Sequence, residues 1–150
     1  MTGITDDGIR IDREIAAPPE AVFAALTTAD SFARWFGGDA VQVPADRLDY
    51  RAEAGRGWAA VMVLPDGGTM DWAGTFIEVD APMRLDMTIT DQPDAENGAR
   101  LTFELAAAAD GEGTRLMMTQ QAPGFSDEQK HATIAGWQGF LDVLAQIAAA

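Results

Sequence analysis

The spacing of apolar positions changes twice along the chain, from two to helical and back, before a long helical stretch closes it. Residues 9–15, IRIDREI, set Ile9, Ile11, Arg13 and Ile15 two apart, the repeat of a strand whose alternate side chains share a face. APPE at 17–20 follows, with proline where a first helical turn tolerates a missing N–H. Val22, Phe23 and Leu26 then mark the apolar stripe of a short helix. ADSFARWF predicts a second short helix, capped at Thr28 or Asp30 and ended before Gly37-Gly38.

From about residue 47 the pattern is that of strands. RLDYRAE, GWAAVMVL, MDWAGTFIEV, MRLDMTIT, ARLTFELAA and TRLMMTQQ are separated by AGRG, PDGG, DAP, DQPDAENG and ADGEG, the punctuation of antiparallel hairpins. A final helix opens at SDEQ, where Ser126 and Gln129 form a capping box and Asp127 and Glu128 complement the helix dipole. Ile134, Trp137, Leu141, Leu144 and Ala148 step by three and four along one face of it. The order is strand, two short helices, antiparallel meander, long helix: an α+β fold in one domain over 1–150, with helices on one face of the sheet.

Reading each strand by parity gathers Trp58, Ala60, Met62, Leu85, Met87, Ile89, Leu101, Phe103, Leu105, Leu116, Met118 and Gln120 on one face. Trp72, Gly74 and Phe76 join it, although Ile77 and Val79 carry the opposite parity and blur that strand. Arg84, Asp86, Arg100, Thr102, Glu104, Arg115 and Thr119 fall on the other face and read as solvated. The apolar face is either a filled core or the wall of a cavity against the last helix. Adaptable methionines and the polar Gln120 favour the cavity. In the last helix, Gly136 and Gly139 flank Trp137, where each glycine disfavours the helix by about 1 kcal/mol relative to alanine. They are expected either to let backbone and sheet approach closely or to leave room beside the indole. Gly139→Leu is therefore expected to do more harm than helix propensity alone would.

Charge and composition narrow the functions. The chain of 150 residues has a net charge of −14, which repels phosphate backbones and anionic surfaces, so neither nucleic acid nor membrane is an expected partner. No apolar run approaches the roughly 18 residues of a membrane span, and no secretory signal is apparent, so the cytoplasm is the expected location. With no cysteine, disulfides, thiol catalysis and Cys-based metal sites are excluded. His131 is the only histidine and lies off the apolar stripe, and the only serines are Ser31 and Ser126, so no Ser-His-Asp arrangement is legible. No phosphate loop, metal-ligand spacing or cofactor motif appears. Tyr50, Asp71 and Glu78 are the groups that acid–base chemistry would use if they entered a cavity.

IDREIAAPPEAVFAALTTADSFARWFGG resembles the opening of the SRPBCC (START/Bet v 1-like) superfamily, in the branch similar to the C-terminal domain of the activator of Hsp90 ATPase. The matching pieces are Ala17-Pro18, Val22-Phe23, Ala25-Leu26-Thr27 and Arg34-Trp35-Phe36. Further on they are Gly74, Phe76, Glu78, Val79, Pro82, Arg84 and Leu85, then GTRLMMTQQ and GWQGFLDVL. The resemblance implies a helix-grip fold, a curved antiparallel sheet around the C-terminal helix with a hydrophobic cavity between them. It implies binding of lipids, polyketides or other apolar molecules in most members, cyclase-like activity in a few, and action on Hsp90 in some. Two departures stand out: DYRAEAGRG is longer than the family's hairpin, and Gln120 stands where a histidine is common.

The leading expectation is an apolar or aromatic small-molecule ligand, with no metal or cofactor. Trp35, Phe36, Trp58, Met62, Trp72, Phe76, Met87, Phe103, Met118, Gln120, Trp137 and Leu141 are expected to line its site, and no residue is assigned a catalytic role. An enzyme using the same pocket through Tyr50, Asp71, Glu78 or Gln120 is the alternative. An Hsp90-type interaction module ranks third, and a homodimer is left open.

Overall fold

The computed structural model describes residues 2–38, 41–92 and 98–150. Among them a seven-stranded sheet forms from β1 (Gly3–Ile4), β2 (Gly8–Ile15), β3 (Gly57–Val63), β4 (Thr69–Asp80), β5 (Arg84–Ile89), β6 (Ala99–Ala107) and β7 (Thr114–Gln121). Their order across the sheet is β1-β2-β7-β6-β5-β4-β3 and every pairing is antiparallel. The meander β3 to β7 thus pairs in chain order, and β2 closes on the last strand. Between β2 and β3 run α1 (Pro19–Thr27) and α2 (Ala29–Trp35), and the chain finishes with α3 (Asp127–Ala149). Both short helices pack on α3, which lies over the apolar face of the sheet.

The helix signals work as their chemistry requires. Pro18 precedes α1 in an extended conformation, and the Ser126 hydroxyl accepts from the Gln129 N–H while the Gln129 side chain accepts from the Ser126 N–H. Two donors left open by the first turn of α3 are thereby satisfied. Gly37 and Gly38 follow α2 with φ of 90° and 71°, the left-handed conformation in which a chain leaves a helix. Arg13, at an inward parity of β2, reaches α3 and donates to the Gln138 carbonyl and to Asp142 (2.6 Å).

Two expectations need correction, and one short strand was not expected. RLDYRAE does not form a strand: a 3-10 turn at Ala45–Arg47 leads into a crossing segment whose backbone pairs with β3 at the isolated bridge Asp49↔Ala59. Its alternation has another cause, because Tyr50 is buried and donates to the Leu26 carbonyl (2.7 Å), pinning the segment to the end of α1. On the outer face, Asp86 is buried rather than solvated. Arg100 donates to both its oxygens, Thr102 donates a third hydrogen bond, and Arg84 stands beside it in an ion pair with Glu104. The β1 strand, two residues long, has no counterpart in the sequence pattern.

The blurred parity of β4 has a simple origin. Phe76 opposes Met87 and Val79 opposes Leu85, so β4 spends three residues where β5 spends two. This bulge switches the inward parity from Trp72, Gly74 and Phe76 to Val79 and leaves Ile77 exposed.

Candidate functional site

The middle of the sheet–helix interior is filled by aromatic rings. Phe32 from α2 stacks on Tyr50 (ring centroids 3.9 Å apart) and meets Trp58 edge-on at 5.5 Å. Trp35 lies 6.5 Å from Phe103 and 6.2 Å from Trp137, and Tyr50 lies 5.2 Å from Phe76. Such T-shaped and offset contacts add about 0.5–1.5 kcal/mol per pair to the burial of the rings themselves. The core here is close-packed.

Space remains at one end. A cleft of ≈ 400 Å³ opens where Met62 of β3, Trp72 of β4, Ile89 of β5, Ala99 of β6 and Gln120 of β7 face Thr133, Gly136, Trp137 and Phe140 of α3, with Phe36 beyond α2 beside them. Thr90, Asp91, Gln121, Ala122, Pro123 and Phe125 form its mouth. Four rings frame it: Phe36 stands edge-on to Trp72 at 5.5 Å, and Phe140 lies 5.9 Å from Phe36 and 5.2 Å from Trp137. Phe125, at 42% exposure, is one of the few large apolar side chains left open to solvent.

Of the twelve residues singled out in the sequence, Phe36, Met62, Trp72, Gln120 and Trp137 come together around this cleft. Trp35, Trp58, Phe76, Met87, Phe103, Met118 and Leu141 do not reach it; they are buried in the filled part of the core. Sequence reasoning missed Phe140, Ala99 and the mouth residues as lining, and placed Ile89 on the right face without assigning it to the site. Phe140 stands off the stripe of Trp137 and Leu141, although its position three residues from Trp137 puts the two rings in contact.

The polar groups of the cleft are few. The Trp137 indole N–H donates to the Gln120 side-chain oxygen (2.6 Å), tying the helix to β7 across the interior. Trp72 also lines the cleft, and its indole nitrogen is buried with no hydrogen-bond partner among the described residues. The ionisable groups singled out in the sequence lie outside the cleft. Tyr50 gives its proton to the Leu26 carbonyl, and burial pushes its ionisation far above the ordinary range. Asp71 is exposed, and Glu78 is an exposed partner of Arg84. His131 is exposed on α3, and no group of three or more His, Asp or Glu residues among those described is placed to hold a metal ion.

The two glycines around Trp137 play different parts. A Cβ at either would meet nothing within 4 Å, so neither serves a close approach of backbone to sheet. Both are exposed, but Gly136 lines the cleft and leaves room beside the indole, whereas Gly139 does not line it. The expectation of steric harm at Gly139 is therefore overturned by the open space around it. Gly74, in contrast, is a glycine that close approach requires. The Trp58 indole crosses its Cα to donate to the Thr88 carbonyl (3.1 Å), and a Cβ at Gly74 would stand 1.8 Å from that oxygen and 2.5 Å from the indole nitrogen.

Comparison with known proteins bears on the whole arrangement. The profile of the family described as activator of Hsp90 ATPase homolog 1-like protein matches residues 16–149. Among solved structures, the AHSA1 protein from Silicibacter pomeroyi is 28% identical, with 91% of this chain and 94% of that one covered and a TM-score of 0.77. The AHSA1-like protein from Aeromonas hydrophila is 26% identical over 92% of this chain and 90% of that one, with a TM-score of 0.72. A protein from Chromobacterium violaceum, 22% identical over 95% and 97%, shares the fold with a TM-score of 0.78. No curated protein matches the chain.

Proposed function

Because the chain belongs to the activator of Hsp90 ATPase homolog 1-like family, we propose that its helix-grip fold serves to bind an apolar or aromatic small molecule in the cleft at the open end of the sheet–helix interior. The observation that carries this reading is the ≈ 400 Å³ cleft framed by Phe36, Trp72, Trp137 and Phe140 beside an otherwise close-packed core. A pocket of this size, walled by apolar and aromatic side chains with few polar groups, is the ordinary form of a small-molecule site. Met62 adds a side chain able to adapt to different ligand shapes.

The enzymatic alternative has less behind it. Of the groups it would use, Gln120 lines the cleft but Tyr50, Asp71 and Glu78 stand outside it, and among the described residues the one carboxylate of the lining, Asp91, is exposed at the mouth.

The test follows from Gly136. Wild-type protein is titrated with a panel of aromatic and lipid-like molecules, and binding is read from quenching of tryptophan fluorescence. Gly136→Leu directs a side chain from α3 into the open space beside Trp137 while improving helix propensity. It is expected to weaken binding by about tenfold or more, the equivalent of about 1.4 kcal/mol, with folding stability retained. A panel in which nothing binds, or a Gly136→Leu protein that binds as wild type does, contradicts the reading.

A further inference from the structure

At the cleft end of β7, Gln120 turns a polar side chain toward the apolar interior, opposite Leu101 of β6 and Ile9 of β2, both buried, whereas Thr114 at the other end of the strand is buried and donates to the Ala17 carbonyl. Its amide has two ends of opposite hydrogen-bonding character. An indole nitrogen can only donate, so the Trp137 N–H fixes the Gln120 oxygen toward α3. The remaining end is the NH₂. It has no hydrogen-bond partner among the described residues and is not among their buried unsatisfied atoms, so it stays accessible on a residue that lines the cleft. Of the other polar groups nearby, the Trp72 indole N–H is also a donor without a partner among the described residues, but it is buried, whereas the Gln120 NH₂ is accessible. Thr133 spends its hydroxyl proton on the Gln129 carbonyl, and Thr90 is engaged with Gln92. Asp91 at the mouth, on a chain of net charge −14, sets a negative potential against an incoming anion.

We propose that Gln120 selects the ligand: held by Trp137 with its NH₂ toward the cleft, it favours an uncharged aromatic molecule carrying a carbonyl-type acceptor over the same molecule without the acceptor or with a carboxylate. This rests on the small-molecule reading above and adds the chemical class of the ligand. A carbonyl entering the cleft meets a donor otherwise left to water. A hydrocarbon of equal shape leaves that donor without a partner once water is displaced, and a carboxylate carries its charge past Asp91 into an apolar site.

Three probes of nearly equal shape separate these cases: 2-acetylnaphthalene, 2-ethylnaphthalene and 2-naphthoate, each measured by equilibrium dialysis against wild type, Gln120→Leu and Gln120→Glu. Gln120→Glu keeps an oxygen for Trp137 and exchanges the donor for a second acceptor, so it tests the donor without removing the tie to α3. In wild type, 2-naphthoate is expected to be the weakest of the three. The ratio of acetyl to ethyl affinity is expected to fall about fivefold in both variants, the equivalent of one net hydrogen bond. Thermal melts of the variants show whether a change in affinity reflects loss of fold, in which case the ethyl compound is lost in parallel and the ratio stays put. An unchanged ratio in a folded Gln120→Glu protein, or wild-type preference for naphthoate, overturns the role of Gln120 and leaves the small-molecule site standing. If none of the probes binds wild type, the small-molecule reading falls with it.

Discussion

Gly74 and Asp86 each hold a contact that a neighbouring residue type would not. At Gly74 the missing Cβ lets the Trp58 indole cross β4 to the Thr88 carbonyl, a bond between β3 and β5 that skips the strand between them. Gly74→Ala places a methyl group inside both partners and is expected to destabilise the fold by about 2 kcal/mol or more in urea unfolding. Gly139→Ala, on an exposed turn with nothing within 4 Å, is expected to stabilise by up to about 1 kcal/mol in the same measurement. Equal effects at the two positions would contradict this division. Asp86 is governed by charge. Hydrogen bonding to the Arg100 guanidinium, opposed by burial and helped by Thr102, holds its carboxyl below the ordinary value of 3.8. The folded state therefore binds the Asp86 proton less readily than the unfolded chain does. Its contribution is whole above about pH 4 and is lost as pH falls through the lower folded-state value. In acid titrations followed by circular dichroism, Asp86→Asn is expected to lower stability at neutral pH and to flatten the fall in stability below pH 4. A variant with the wild-type slope there would contradict the assignment.

At the scale of the elements, α3 joins the two halves of the account, since its capping box fixes where it starts and Trp137 ends up between core and cleft. Ser126→Ala removes the acceptor for the Gln129 N–H and is expected to cost about 1 kcal/mol of stability, with chemical denaturation as the measure. Elements whose bounds were set by local chemistry were legible. Strands β6 and β7 begin and end where ARLTFELAA and TRLMMTQQ do, because ADGEG supplies the turn between them. RLDYRAE was misread because alternation reports only that Leu48, Tyr50 and Ala52 lie on the side opposite Asp49, not that a neighbouring strand pairs with them. Tyr50 is buried by its anchor on Leu26 instead. The same limit applies to the site. Parity told which side chains point inward, so Phe36, Met62, Trp72, Gln120 and Trp137 were within reach of the sequence. It does not tell depth along the strand, which is why Met87, Phe103 and Met118 were grouped with them although all three are buried in the filled core, Phe103 against Trp35 of α2. Asp86 escaped for a related reason: on an outer face, burial is set by the arginines of the adjacent positions, and period two carries no record of them.

Taken whole, the molecule sets an aromatic interior inside an acidic surface. The net charge of −14 opposes phosphate-bearing partners, while the cleft between Trp72 and Trp137 offers an apolar surface beside the Gln120 amide. Among the described residues no helix is long and apolar enough to cross a membrane. The four tryptophans divide evenly between the two parts of the interior: Trp72 and Trp137 line the cleft, and Trp35 and Trp58 lie in the filled core with their N–H groups on the Ala25 and Thr88 carbonyls. The indole N–H region of a proton–nitrogen correlation spectrum therefore reads the central claim in four signals. On titration with an uncharged aromatic ligand, the Trp72 and Trp137 signals are expected to shift together along one binding curve while those of Trp35 and Trp58 move little. Four unmoved signals across the ligand panel, or a response confined to Trp35 and Trp58, would contradict the claim that the cleft is the binding site.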